Sequence, residues 1–527
     1  MSNSRFGKSV LIVDYKLDEL SRLRDIVSGL GFEQVEAASS VNMAVSYLRE
    51  MEFDIVLVAY DMGKAEKNGL QVVQEAFAEK LRLFQTRFLL IIDSASSSLL
   101  VGSLESAPDA YITRPYDRAK IQNLLEKLQR VKNAVYRVEE AMDNGKWSDA
   151  LEYCARLIDV YPGLKIYLER LQGVCLLESK RYQEAEVLFG QLVASRKQVW
   201  AQVGQGMSFY FLGRHQDAIK ILQQVVDQQH ISVEAFSWLA RSMHVCGDLS
   251  QSIILMRKAV MLQPAVPQLQ SEMGNLAVCA QEWGLAIDAF RAVLKYSRYS
   301  VFQDPDHYFS LVRCLIASYQ VKKEKQEELE LEAIRTMEDV MRDFSDDISV
   351  QFRAHVIISE LRKVLGNNEL VEAELQQAVE LFSRMSVSEQ WRWMDWVIDA
   401  TEGNPVADKV KLIRSQLLQA EPVPSWVTFM KSGLQKYKKG DVVSAAVLFR
   451  QAESAGAQSV AIVLNLAQME IELKLQAHKE LSLKHWVDCL LRLNQLNFGA
   501  LSIKQHKRFK ALLQRYSGIQ IKMEGAD

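Results

Sequence analysis

The sequence predicts a five-stranded, doubly wound parallel α/β domain followed by an all-α superhelix of repeated helix pairs. Three observations carry this. Short apolar runs rich in β-branched residues alternate with helical patterns through roughly the first 120 residues, the rhythm of a parallel sheet covered on both faces. Beyond them, small residues recur every 33 to 35 positions, the period of a stacked helix pair. Only 9 Pro and 24 Gly punctuate 527 residues, too few for a string of compact domains joined by loops.

Composition narrows the function classes. At 49% hydrophobic the chain is too apolar for disorder, while no apolar run approaches the 18 or so residues of a membrane helix. Met1–Lys8 leads straight into Val10–Val13, too brief for a signal-peptide core, so a cytoplasmic location is expected. Six cysteines (154, 175, 246, 279, 314, 489) lie far apart and suit helix packing rather than metal binding or disulfides. There is no phosphate-binding glycine loop, no His pair at metal-ligand spacing and no Gly-x-Ser-x-Gly. Neither catalysis, nor a metal, nor a cofactor is therefore expected. A net charge of -3 favours no charged partner.

The strand candidates in order are Ser9–Asp14, Gln34–Ala37, Phe53–Ala59, Phe88–Ile92 and Ala110–Thr113. A ligand site in such a sheet lies at the carboxyl ends of its strands. There stand Asp14 and Tyr15 after the first strand, Ala59 and then Asp61 after the third, Ser94 and Ala95 after the fourth, and Tyr111-Ile112-Thr113-Arg114-Pro115-Tyr116 at the fifth.

These motifs resemble the receiver domain of bacterial two-component response regulators, over about residues 7–130. In that family two adjacent acids after the first strand bind Mg²⁺, an Asp ending the third strand accepts the phosphoryl group, and a Lys before the final Pro contacts it. Asp14 keeps the first acid, but Tyr15 occupies the second, Ala59 stands at the acceptor position and Arg114 replaces the Lys. Alanine has no oxygen to attack a phosphoryl donor, and tyrosine is a poor ligand for a hard cation. The resemblance therefore implies a pseudo-receiver that neither binds Mg²⁺ nor enters a phosphorelay. The alternative is that Asp61 takes the acceptor role. Ser94 and Tyr111 match the hydroxyl and switch-aromatic positions, implying a recognition surface retained without its trigger.

Between Tyr116 and Asn144 there is neither Pro nor Gly, and apolar residues fall at 121, 124, 128, 131, 135, 138 and 142. This spacing predicts one helix of about 28 residues, roughly 42 Å long, leading from the sheet domain into the helical region. Its stripe either packs on the sheet and then on the next helix, or pairs with a second copy in a homodimer.

In the helical region Ala150, Ala185, Ala218, Ser252 and Ala286 keep the period. Gly173, Gly206, Ala240 and Gly274 accompany them, and Cys154, Phe189, Leu222, Met256 and Phe290 follow four residues after each small one. This pattern resembles the tetratricopeptide repeat, whose small residues let paired helices approach closely. The phase slips after residue 297, and Val350–Phe382 (with Gly366 and Ala373) and Trp426–Ala452 (with Gly433, Ala445 and Phe449) are expected to resume it. The expected domains are 1–130, 131–300 (about five repeats), 301–420 (irregular helical repeats) and 421–527 (repeat-like, with a basic end).

Charge and aromatics leave two further expectations. From Lys474 to Lys522 ten Lys or Arg face two acids, a local +8 that leaves -11 for the rest of a chain of net -3. With Phe509 and Tyr516 nearby, this end suits either nucleic-acid stacking or, preferably, a solvated face docked on the acidic remainder. Trp391, Trp393 and Trp396 suit either an exposed hot spot or, preferably, helix packing. The sequence thus points to a non-enzymatic bacterial signalling adaptor, with a signalling protein at the receiver and an effector in the repeat groove. It predicts no membrane insertion. A true regulator phosphorylated at Asp61, and an RNA or DNA binder using the basic end, are the alternatives.

Overall fold

The computed structural model describes residues 9–524 apart from 64–66, 82–83, 94–107, 197, 229–231, 324–325, 420–422, 457–458, 477–490 and 495. Five strands, β1 (Ser9–Val13), β2 (Gln34–Ala38), β3 (Ile55–Ala59), β4 (Arg87–Ile92) and β5 (Ala110–Thr113), form one parallel sheet in the order β2-β1-β3-β4-β5. Every residue of β1, β3 and β4 is buried, which is why these runs, apart from Ser9 and Arg87 at the strand starts, are apolar instead of alternating. The register aligns Val13 with Ala38 and Val58, and Ala59 with Ile91, so the carboxyl ends of the central strands open at one edge.

Helices α1 (Leu17–Ser28) and α4 (Arg118–Asp143) cover one face, through Leu20, Leu23, Val27, Ile121, Leu125 and Leu128. Helices α2 (Val41–Glu50) and α3 (Leu70–Ala78) cover the other. α4 begins where the Asp117 side chain accepts the Lys120 N–H, at 2.7 Å, and ends before Gly145, whose φ of +67° suits glycine. Its 26 residues do two jobs. The first half lies on the sheet, while Val135, Val138 and Met142 join a second core with α5 (Trp147–Val160) and α6 (Lys165–Glu178). Leu124 and Val131 are half-buried in the same two cores. The apolar stripe is packed within the chain, first on the sheet and then on the next helices.

From there the described chain is helical: α7 (Tyr182–Arg196), α8 (Val199–Phe211), α9 (His215–Asp227), α10 (Val233–Val245), α11 (Leu249–Leu262), α12 (Pro267–Ala280) and α13 (Trp283–Ser297). Asp304-Pro305 starts α14 (Pro305–Lys322): Asp304 caps it and Pro305 supplies the first turn. Next come α15 (Gln326–Asp343), α16 (Ile348–Val364), α17 (Asn368–Arg384), α18 (Val387–Thr401), α19 (Ala407–Gln419), α20 (Ser425–Lys438), α21 (Val442–Ser454) and α22 (Val460–Leu475). A 3-10 turn at Phe498–Ala500 precedes α23 (Ile503–Glu524). Among the described residues no helix is long and apolar enough to cross a membrane.

The chain divides into two compact units. One holds Met1–Met243, Ile254–Gln270 and Lys295–Gln303; the other holds His244–Ile253, Ser271–Leu294 and Asp304–Asp527. The sheet and the first helix pairs thus share one unit, and the boundary expected at residue 130 falls inside α4.

Candidate functional site

At the strand ends the charges neutralise one another. Asp14 continues β1 by donating its N–H to Ala38 O at 3.1 Å, and Arg114 continues β5 by donating to Ile92 O at 3.0 Å. This brings together two residues 100 positions apart. The Arg114 guanidinium is paired with Asp14 Oδ2, while Asp14 Oδ1 accepts the Lys16 N–H at 3.0 Å. Burial pushes the Asp14 carboxyl up, and the Lys16 N–H and Arg114 oppose it. Burial likewise disfavours the Arg114 charge, but Asp14, together with Tyr116, Asp93 and Glu19, outweighs it and holds the guanidinium protonated.

Ala59 is buried at the end of β3. Tyr15 lies half-open with its ring over Gly63, where a Cβ would meet that ring at 2.6 Å. Asp61 is exposed, and its Oδ1 accepts the Gly63 N–H at 2.8 Å in a local turn. Ser94 lies outside the described residues. Tyr111, on edge strand β5, is 37% exposed. Its hydroxyl is pushed up first by burial, and then feels Arg170 of α6 and Glu234 of α10. The switch-aromatic position therefore stands beside the chain's own repeat helices.

Sequence reasoning missed a second polar centre, where sheet and repeats meet. Arg87, the first residue of β4, places Nη2 2.6 Å from Glu139 Oε1 of α4 and Nη1 3.0 Å from Asp109 Oδ1. Tyr167 of α6 donates to Glu139 at 3.1 Å. The Arg87 and Glu139 side chains are 3% and 1% exposed. Around them Asp143 accepts the Phe84 and Gln85 N–H groups, each at 3.0 Å, and Lys132 pairs with Asp54 at 2.8 Å. The one available signal was Glu139 itself, lying next to Val138 within the apolar stripe of α4.

Burial pushes the Glu139 carboxyl up to about 7, against the opposing pull of Arg87 and the Tyr167 hydroxyl. The folded state then holds a proton that the unfolded chain, at an ordinary 4.5, releases earlier. The stabilisation from Glu139 is accordingly full below the unfolded value and lost as pH rises through about 7. Glu139→Gln should flatten this part of the profile, measured as urea midpoints between about pH 5 and about pH 8.

The repeat signature is a set of close helix approaches. Phe189 of α7 lies between two glycines: a Cβ on Gly173 of α6 or on Gly204 of α8 would fall 2.5 Å from its ring. Gly206 meets Leu222, Gly274 meets Phe290 and Gly433 meets Phe449 in the same way, at 2.6, 2.8 and 2.8 Å. Ala150, Ala185, Ala218, Ala240, Ser252, Ala286 and Ala445 are all fully buried. The expected pair at 350–382 exists as α16 and α17, but with other contact residues. Gly366 sits in the turn with φ +82°, Ala373 is exposed, and Leu375, Ala378 and Val379 make the core.

Among the described residues of the basic end, the two aromatic rings are packed inside the fold. Phe509 and Tyr516 are buried. Lys504 pairs with Asp399 and Glu402 at 3.4 and 3.0 Å, Arg492 pairs with Glu453, and Arg508 donates to Gln468 Oε1 at 2.7 Å. Trp393 and Trp396 are likewise buried and Trp391 half-buried, as helix packing requires.

Family models of the tetratricopeptide repeat match residues 137–198 and 200–229. The N-terminal part is 25% identical over 126 residues to the chemotaxis protein CheY of Thermotoga maritima, covering 24% of this chain and 99% of that protein. Among solved structures, the C-terminal part of a tetratricopeptide-repeat protein from Cytophaga hutchinsonii is 16% identical, with a TM-score of 0.38; the match covers 46% of this chain and 93% of that one. A tetratricopeptide-repeat protein from Parabacteroides merdae is 13% identical, with a TM-score of 0.29, over 65% of this chain and 99% of that one.

Proposed function

We propose that this chain, a receiver-like domain fused to tetratricopeptide repeats, is a non-enzymatic signalling scaffold whose receiver works without phosphorylation. The observation that carries the second half is the pairing of Arg114 with Asp14 beside Ala59. The remaining carboxylate already holds a fixed cation, so a divalent ion gains little there, and the strand end presents no nucleophile. The repeats support the first half, because stacked helix pairs commonly bind other proteins. In this reading the receiver holds a signalling protein and the repeats an effector, in the cytoplasm of a bacterium.

Incubation of the full chain with acetyl phosphate and Mg²⁺ should leave its intact mass unchanged. Ala59→Asp alone should remain silent, because Arg114 still occupies Asp14. Tyr15→Asp, Ala59→Asp and Arg114→Lys together should gain one phosphoryl mass. An adduct on the wild type that disappears in Asp61→Asn would overturn the reading and make the protein a true two-component regulator.

A further inference from the structure

Residues Asn497–Ser502 are held largely by their backbone, with the side chains of Asn497 and Ser502 adding bonds to Asn275 of α12 and Asp399 of α18. The Gly499 N–H donates to Ser310 Oγ of α14 at 2.8 Å. The Arg313 guanidinium, also on α14, donates to the carbonyls of Phe498, at 3.4 Å, and Leu501; its other edge is clamped by Glu360 of α16 at 2.9 Å and it lies 4.6 Å from the centre of the Trp396 ring. Trp396 Nε1 of α18 donates to Ala500 O at 3.2 Å, and Asn275 of α12 reaches Asn497 Oδ1 at 3.1 Å. Helices α12, α14, α16 and α18 are each the first of successive pairs, so these hydrogen bonds come from one row of helices.

The demands on side chains are few. Position 499 must be glycine, since a Cβ there would lie 2.1 Å from Asp306 O. Leu501 is fully buried. A site that reads carbonyls and N–H groups accepts any chain presenting the same backbone. The resident segment has the advantage of tethering, which corresponds to an effective concentration on the order of millimolar, so a free competitor loses while the segment stays in place.

We propose that this helix row is a docking site for a short peptide that folds into a 3-10 turn with glycine at its point of closest approach, and that Asn497–Ser502 is its built-in occupant. The inference rests on the scaffold reading and adds a partner chemistry and a gate. A partner segment of this kind engages the row by exchanging with residues 497–502.

The test uses the full chain and a fluorescein-labelled peptide of its own residues 494–505, read by anisotropy. The wild type should not bind the peptide at micromolar concentration. Gly499→Val and Leu501→Asp disturb only the occupant and should bind it saturably, whereas Leu501→Ala, which only trims methyl groups and keeps the fold, should bind it more weakly. Adding Arg313→Ala to Leu501→Ala should cut affinity at least tenfold. The inference is overturned if no variant retaining wild-type helical circular dichroism binds the peptide, or if the wild type binds it equally well. Either result leaves the scaffold reading standing, because that reading falls separately if the wild-type chain has no protein partner.

Discussion

At about pH 8, where Glu139 is ionised, Arg87→Ala should lower the unfolding free energy by about 3–5 kcal/mol, the cost of removing one partner from a buried ion pair. The reason is what stays behind. Glu139, at 1% exposure, would be left beside the Tyr167 hydroxyl with no cation, whereas Asp109, 19% exposed, still reaches water. Urea unfolding gives the size of the effect, and hydrogen exchange its place, with protection lost in β4 and in the second half of α4 together. A double replacement, Arg87→Met with Glu139→Leu, should recover much of the loss, because well-packed apolar groups of similar volume often serve as well as a buried pair. If the double variant is as unstable as the sum of the singles, the two charges act independently and the proposed coupling is wrong.

Phe189→Ala should cost about 3–5 kcal/mol through the cavity it leaves between α6 and α8. The reverse perturbation is as informative. Alanine is favoured over glycine in a helix by roughly 1 kcal/mol, so Gly173→Ala and Gly204→Ala would stabilise an isolated helix. Here each new Cβ falls 2.5 Å from the Phe189 ring, and overpacking of this kind costs about 1–3 kcal/mol. Net destabilisation is expected for both, and Phe189→Ala should relieve it, so Gly173→Ala with Phe189→Ala should be less damaging than the two effects summed. Thermal unfolding of the four proteins decides this.

The sheet was legible because parallel strands buried on both faces leave unbroken β-branched runs, and the observed strands lie within a residue or two of the expected ones. Phe53 and Asp54 are the exception: they precede β3, and Asp54 turns out to Lys132. The repeats were legible where a glycine and a large residue keep one period. Gly204 was not, because it serves the neighbouring pair out of phase, and Gly366 misled because a turn glycine and a packing glycine look alike in sequence. In the pocket, the changed residues were readable one by one. Their pairing was not, since nothing local links Asp14 to a residue 100 positions on. The Arg87–Glu139 centre and the seat of Asn497–Ser502 were invisible for the same reason: both depend on partners brought together by the fold, and neither an arginine at a strand start nor the short run Asn-Phe-Gly-Ala-Leu-Ser carries a local signal of them.

The double duty of α4 also orders events in time. During synthesis the last strand is complete at Thr113, yet Arg87 has no counterion on α4 until Glu139 has been made, and no cover until Tyr167 follows. Domains generally fold in the order in which they leave the ribosome. Here the first-made domain waits for the second: the sheet can be sealed only after the opening helix pair of the repeats has emerged, so the nascent chain passes through a stage in which its N-terminal part is assembled but still unlocked.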